Sequence, residues 1–151
     1  MLPRNTPDLV TKENYTKCFA CGRDNPMGLK LEFNWDGQTA RAKFVPGEWH
    51  QGWPGVIHGG IISVVLDEAM TYVPYFQGLH CVTGRLEVRW KSHAVVGENL
   101  LVSASATRQT RKLIECQSAL TRPDGSLVAE GKALFYVINN TKQSHDTGTK
   151  Y

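Results

Sequence analysis

At 151 residues, with 41% hydrophobic and 21% charged side chains, the chain has the size and composition of one globular domain able to bury a core. A formal net charge of +3 is too small to argue for nucleic acid; it fits a solvated surface, or an anionic small ligand. No stretch approaches the ~20 apolar residues of a membrane span, and the four cysteines, in a sequence whose "MLPRNTPDLV" start lacks an apolar signal segment, read as reduced thiols of a cytoplasmic protein.

Residues 1–17 are polar, carry two early prolines and read as an N-terminal arm. Residues 18–138 form the domain. From Asn139 the tail "NNTKQSHDTGTKY" has almost nothing to bury and is expected to be disordered to residue 151. Within the domain, "LKLEFNWDGQTARAKF" alternates Leu29, Leu31 and Phe33, turns at Asp36-Gly37, then alternates Ala40, Ala42 and Phe44, which predicts a hairpin. An apolar helix should follow from the Gly59-Gly60 pair and end or kink near Val73, because Pro74 disfavours helical geometry in the residue before it.

Three further strand regions come next. "VTGRLEVRW" puts Leu86, Val88 and Trp90 on one face, and "NLLVSASATRQT" does the same for Leu100, Val102, Ala104 and Ala106. A second hairpin turns at Pro123-Asp124-Gly125, with Ile114, Cys116, Ser118 and Leu120 in phase before it and Leu127, Ala129, Ala133, Phe135 and Val137 after it. The pattern is α+β: a hairpin, one helix and an antiparallel meander, with a curved sheet wrapped around the helix.

That helix, Ile61 to Met70, is apolar on nearly every side, yet Asp67 and Glu68 lie adjacent in its middle. A carboxylate in a core is costly unless it is paired, hydrated or functional. A bland account pairs both acids with Arg85 or Arg89 on the covering sheet.

"HQGWPGVIHGGIISVVLDEAM" (residues 50–70) resembles the signature of hotdog-fold acyl-CoA thioesterases of the phenylacetate-pathway type, with an acid nine residues past the His of His-Gly-Gly. "CFACGRDNPMGLKLEF" (residues 18–33) is similar to an N-terminal segment of one subgroup of them. The resemblance implies a hotdog fold, hydrolysis of an acyl-CoA or acyl-carrier thioester, and active sites shared between subunits. It assigns the amide of Gly59, beside Gly60, to polarising the thioester carbonyl, Asp67 to the base or nucleophile, and Thr83 to placing water or the acid. Gln51 is the loop candidate for a side chain near the carbonyl.

The residues themselves fit that chemistry. A helix N-terminus offers free N–H donors and a partial positive charge, and two glycines let a substrate carbonyl come close; alternatively, the pair only makes a tight turn into the helix. Asp67, seven residues past Gly60, lies on nearly the same helix face but ~10 Å away along the axis. Amide and acid acting on one carbonyl would therefore come from two chains, which predicts a homodimer, with pairing of dimers into a tetramer left open. His58 could orient a loop or touch substrate, and Thr83 could equally be an ordinary β-branched strand residue. Gln51, His50 and Glu68 are placed on the substrate side, with Glu68 also suited to a hydrogen bond or salt bridge near the interface.

Arg89, Lys91 and Arg111, with Arg108 and Lys112, are candidates for a basic rim for the phosphates of coenzyme A. Trp53, Met70, Tyr72, Val73 and Phe76 are candidates for the acyl group. Cys18-x-x-Cys21 reads as a structural loop rather than zinc, since no second ligand pair follows; no metal or cofactor is expected. Two rivals use the same fold differently. A non-catalytic acyl-CoA binding protein would bind without thiol release, and a hydratase or dehydratase would use His50 or His58 with Asp67. A third reading, a structural domain with a paired core acid, predicts that Asp67→Asn costs stability.

Overall fold

The computed structural model describes residues 12–140, and the architecture is the one expected: a curved antiparallel sheet packed on one long helix. A short 3-10 helix, Lys12–Lys17, leads into an extended loop and strands β1 (Asn34–Trp35) and β2 (Thr39–Phe44). Helix α1 (Gly59–Phe76) follows, then β3 (Leu79–Trp90), β4 (Leu100–Gln109), β5 (Leu113–Thr121) and β6 (Leu127–Asn140). The sheet order is β1-β2-β4-β5-β6-β3, all neighbours antiparallel.

This order corrects the meander. β4 leaves β3 and pairs with β2, while β3 crosses to the far edge and pairs only with β6. The first hairpin is also shorter than its alternation predicts. Leu29 and Leu31 donate their N–H groups to the carbonyls of Phe19 and Ala20, at 2.8 and 2.9 Å, so this stretch pairs with the cysteine loop and leaves only two residues for β1. The turn itself forms as expected, with Asp36 Oδ1 accepting from Gln38 and Thr39 N–H and Gly37 at φ +97°. β6 runs to Asn140, opposite Leu79, two residues past the expected domain end; residues 1–11 of the arm and 141–151 of the tail lie outside the described residues.

α1 runs through Pro74 instead of stopping before it. The ring removes one N–H from the last turn, where few intrahelical bonds remain to be lost, and it is buried against the core. Gln77 and Gly78 then close the helix by donating to Pro74 and Tyr75 carbonyls. The helix is not buried all round, either. Ile62, Val65, Leu66, Ala69, Met70 and Val73 form one stripe at i, i+3, i+4 spacing that faces the sheet. A second face carries Glu68 and Tyr72, and residues 15–35 lie across it: Phe33 stacks on Tyr72 (4.4 Å between ring centres), Trp35 on Phe76 (5.5 Å), and Tyr15 meets Tyr75 edge-on. Met70 and Val73 are therefore core residues, closed to an acyl group.

Leu66, fully buried at the centre of the stripe, is the position on which packing of helix and sheet depends. Leu66→Ala should lower the unfolding free energy by about 2–5 kcal/mol, measured by urea denaturation.

Candidate active site

Two separate regions of α1 carry polar groups that its packing does not require. At the N-terminus, His58 caps the helix, its Nδ1 accepting from Gly60 N–H at 2.8 Å. Ile61 and Ile62 donate to the His58 carbonyl. Gly60's amide is thus already used, whereas Gly59's N–H has no partner among the described residues. Gly59 lies at the floor of a cleft of about 450 Å³ with Gly52, Trp53, Ile57 and His58. Trp90 packs beside Gly59, its indole 3.5–3.7 Å from where a Cβ at Gly59 would sit. Trp90's place here was not legible from its strand alternation alone.

The second region is Asp67. The Thr83 hydroxyl donates to its Oδ1 at 3.0 Å, and no Lys or Arg forms a salt bridge with it among the described residues. Arg85, one of its suggested partners, instead faces Glu87. Burial pushes the Asp67 carboxyl above its usual range, and the Thr83 hydrogen bond opposes part of that shift.

One edge strand serves both regions because of a bulge. Thr83 pairs with Phe135 and Arg85 with Leu134, so Gly84 is an extra residue in β3. Leu79, Cys81 and Thr83 face the helix before it; Val88 and Trp90 face it after, with the opposite parity. Only glycine suits this point. A Cβ on Gly84 would come within 2.1 Å of the Tyr136 ring.

The other expected site residues disperse. His50 Nδ1 accepts from Gly47 N–H, and its ring lies 5.9 Å from Phe44; burial lowers its pKa. Gln51 uses both ends of its amide inside its own loop, donating to Glu48 O and accepting from Gly55 N–H. Glu68 points away from Asp67 toward the Cys18 and Cys21 thiols, with Cys18 Sγ 3.8 Å from its Oε1. Arg89 and Lys91 flank Trp90 near the helix N-terminus, Lys91 3.8 Å from Glu130. Arg111 belongs to the opposite end of the sheet. Arg89 pairs with Glu130 and Leu113 with Tyr136 on the same strand, six residues or about 20 Å apart. The three cations do not form one rim within a single chain.

A second cavity, about 430 Å³, lies elsewhere, under the N-terminal loop. Tyr15, Cys21, Glu68, Tyr72, His80 and Cys81 are among its lining residues. His80 Nε2 is buried there without a hydrogen-bond partner among the described residues.

Comparison with known proteins agrees with this architecture. The thioesterase superfamily profile matches residues 54–129, and the chain belongs to that superfamily. The mouse acyl-coenzyme A thioesterase THEM5 is 25% identical over 104 residues, 68% of this chain. The chain spans only 42% of that relative's length. Among solved structures, zebra fish thioesterase superfamily member 2 superposes with a TM-score of 0.69 at 23% identity, over 85% of this chain and 99% of its own. The E. coli PaaI protein of the phenylacetic acid degradation operon gives 0.70 at 18%, over 75% and 83%. A Streptococcus pneumoniae hypothetical thioesterase solved with coenzyme A gives 0.69 at 16%, over 73% and 90%; alanine variants of it exist at an aspartate and at a threonine sixteen residues further on. These likenesses bear out the hotdog fold. No helix among the described residues is long and apolar enough to cross a membrane.

Gly84→Ala should push Tyr136 aside and shift the bulge that presents Thr83. Thioester turnover should fall about tenfold to a hundredfold with little change in melting temperature, and Tyr136→Ala in the same chain should restore part of it.

Proposed function

We propose that the chain hydrolyses acyl-CoA thioesters to a free acid and coenzyme A, at two equivalent sites formed between the subunits of a homodimer. The observation that carries this reading is Asp67: a half-buried carboxylate without a counter-cation, held by one hydroxyl, on the helix whose first amide is unpaired. A purely structural acid would be expected to have a cationic partner. The pneumococcal thioesterase adds support, since the aspartate and threonine replaced in it have the same sixteen-residue spacing as Asp67 and Thr83.

Within one chain, Gly59 and Asp67 are eight residues apart, about 12 Å along the axis, too far to act on one carbonyl. The surface around the helix N-terminus suits a second copy. Trp53 is 81% exposed and Trp90 52%, and β3 leaves one edge unpaired beside Asp67 and Thr83. In the composite site, the Gly59 N–H of one subunit donates to the thioester oxygen and steadies the negative charge that develops there. Asp67 of the other takes a proton from water as it attacks the carbonyl carbon; the C–S bond then breaks and the thiolate leaves, taking up a proton. Thr83 fixes the carboxylate orientation. Arg89 and Lys91, on either side of Trp90 in the chain, are the basic residues offered for the phosphates of coenzyme A. Direct attack by the carboxylate would need the same two residues and the same geometry.

The test is thiol release from a panel of aryl, short, medium and long acyl-CoA esters, with wild type and Asp67→Asn side by side. Asp67→Asn should reduce kcat/KM by about 10²–10⁴. Its stability should move the other way. The folded carboxyl titrates above its unfolded value, so the group favours folding when protonated. That contribution is lost as pH rises from the unfolded value through the folded one. At pH 7 Asn should therefore melt no lower than Asp. Activity should rise with pH through an inflection above the normal Asp range. Absence of thiol release from every ester in the wild type would overturn hydrolysis and favour acyl-CoA binding without turnover.

A further inference from the structure

We propose that Cys18, Cys21 and Glu68 form a zinc site that fastens the N-terminal loop to the middle of α1. The two Sγ atoms and a Glu68 carboxylate oxygen all lie within 4.8 Å of one another. Cys18 Sγ and Glu68 Oε1 are 3.8 Å apart, already close to the separation of neighbouring donors on a zinc tetrahedron with bonds of roughly 2.3 Å to sulfur and 2.0–2.2 Å to oxygen. Small rotamer changes would bring the third donor in.

The loop is built to present both sulfurs together. Gly22 N–H donates to the Cys18 carbonyl at 2.8 Å, closing the turn through Cys21. A Cβ on Gly22 would fall 2.4–2.6 Å from backbone atoms of Thr16 and Cys18, so only glycine allows so tight a turn. Leu29 and Leu31 then hold the loop down through Phe19 and Ala20.

The chemistry of the donor set asks for a cation. Glu68 is a largely buried carboxylate, and none of the salt bridges among the described residues includes it. Its neighbours are the two thiols of Cys18 and Cys21. A divalent ion that takes thiolate together with borderline oxygen ligands would supply the missing positive charge. On binding, both thiols lose their protons to solvent and the metal carries two thiolates and a carboxylate. A water from the 430 Å³ cavity, which Cys21 and Glu68 line, would complete the donor set. His80, whose Nε2 has no hydrogen-bond partner among the described residues, lines the same cavity. Sequence alone offers two ligands. The third comes from a residue fifty positions after Cys18 and is brought there by the fold.

The test uses the full chain with zinc and cobalt(II) as probes. Expected results are one zinc per chain by elemental analysis, and with cobalt a visible spectrum with sulfur-to-metal charge-transfer bands of a tetrahedral thiolate site. Glu68→Gln should weaken zinc binding at least about tenfold, and Cys18→Ser with Cys21→Ser should abolish it. Alkylation of the wild type guards against variants that fail to fold: zinc should protect Cys18 and Cys21, and a chelator should expose them, with Cys81 and Cys116 unaffected. Failure to bind stoichiometric zinc, zinc retained by the double serine variant, or equal alkylation of Cys18 and Cys21 with and without zinc would each overturn the site.

Discussion

Everything in the molecule depends on how one eighteen-residue helix divides its circumference. Its apolar stripe closes the concave face of the sheet, and because that stripe repeats every three or four residues, the adjacent pair Asp67 and Glu68 cannot both face the same way. One points to the edge strand and the other to the N-terminal loop. The 100° step between consecutive residues thus separates two carboxylates into two environments without any further device. Asp67 meets a hydroxyl, and Glu68 meets two thiols.

That division explains why the helix can be apolar and still carry acids. Burial of Leu66, Met70 and Val73 supplies the packing, and the polar positions lie on faces covered by elements that bring polar atoms of their own. Both carboxyls are pushed upward mainly by loss of water, yet their surroundings differ enough to give them different chemistry. The amide of Gly59 completes the picture from the helix end. His58 satisfies Gly60 and so leaves one donor free rather than two.

Much of this was legible in the sequence because it is local. The start of α1 at the glycine pair, the turn at Asp36-Gly37, and the in-phase burial of Ile114, Cys116, Ser118 and Leu120 all follow from short spacings, whereas the Asp67–Thr83 contact was reached only through the family resemblance. What was not legible is what depends on partner choice. Alternation in Leu29–Phe33 says extended chain but not which chain it pairs with, and it pairs with the cysteine loop. Nothing within β3 says that it will cross to the sheet edge. Pro74 misled because its usual effect assumes more helix to follow. The basic residues were grouped by charge, although Arg111 lies at the other end of the sheet from Arg89 and Lys91.

The bulge at Gly84 has an evolutionary meaning as well as a geometric one. β3 presents Thr83 near the acid and Trp90 at the free amide, and the single extra residue between them sets both in phase with the helix. Inserting or deleting one residue between positions 84 and 90 would turn Trp90 outward while leaving Thr83 in place. The loop at 91–99, which follows the strand, is pinned in its own way: Ala94 is buried, its carbonyl accepts from Ile57 N–H, and Val95 bridges Val56. Length variation among descendants of this chain should therefore be absent from the edge strand, so β3 acts as a reading frame for the site.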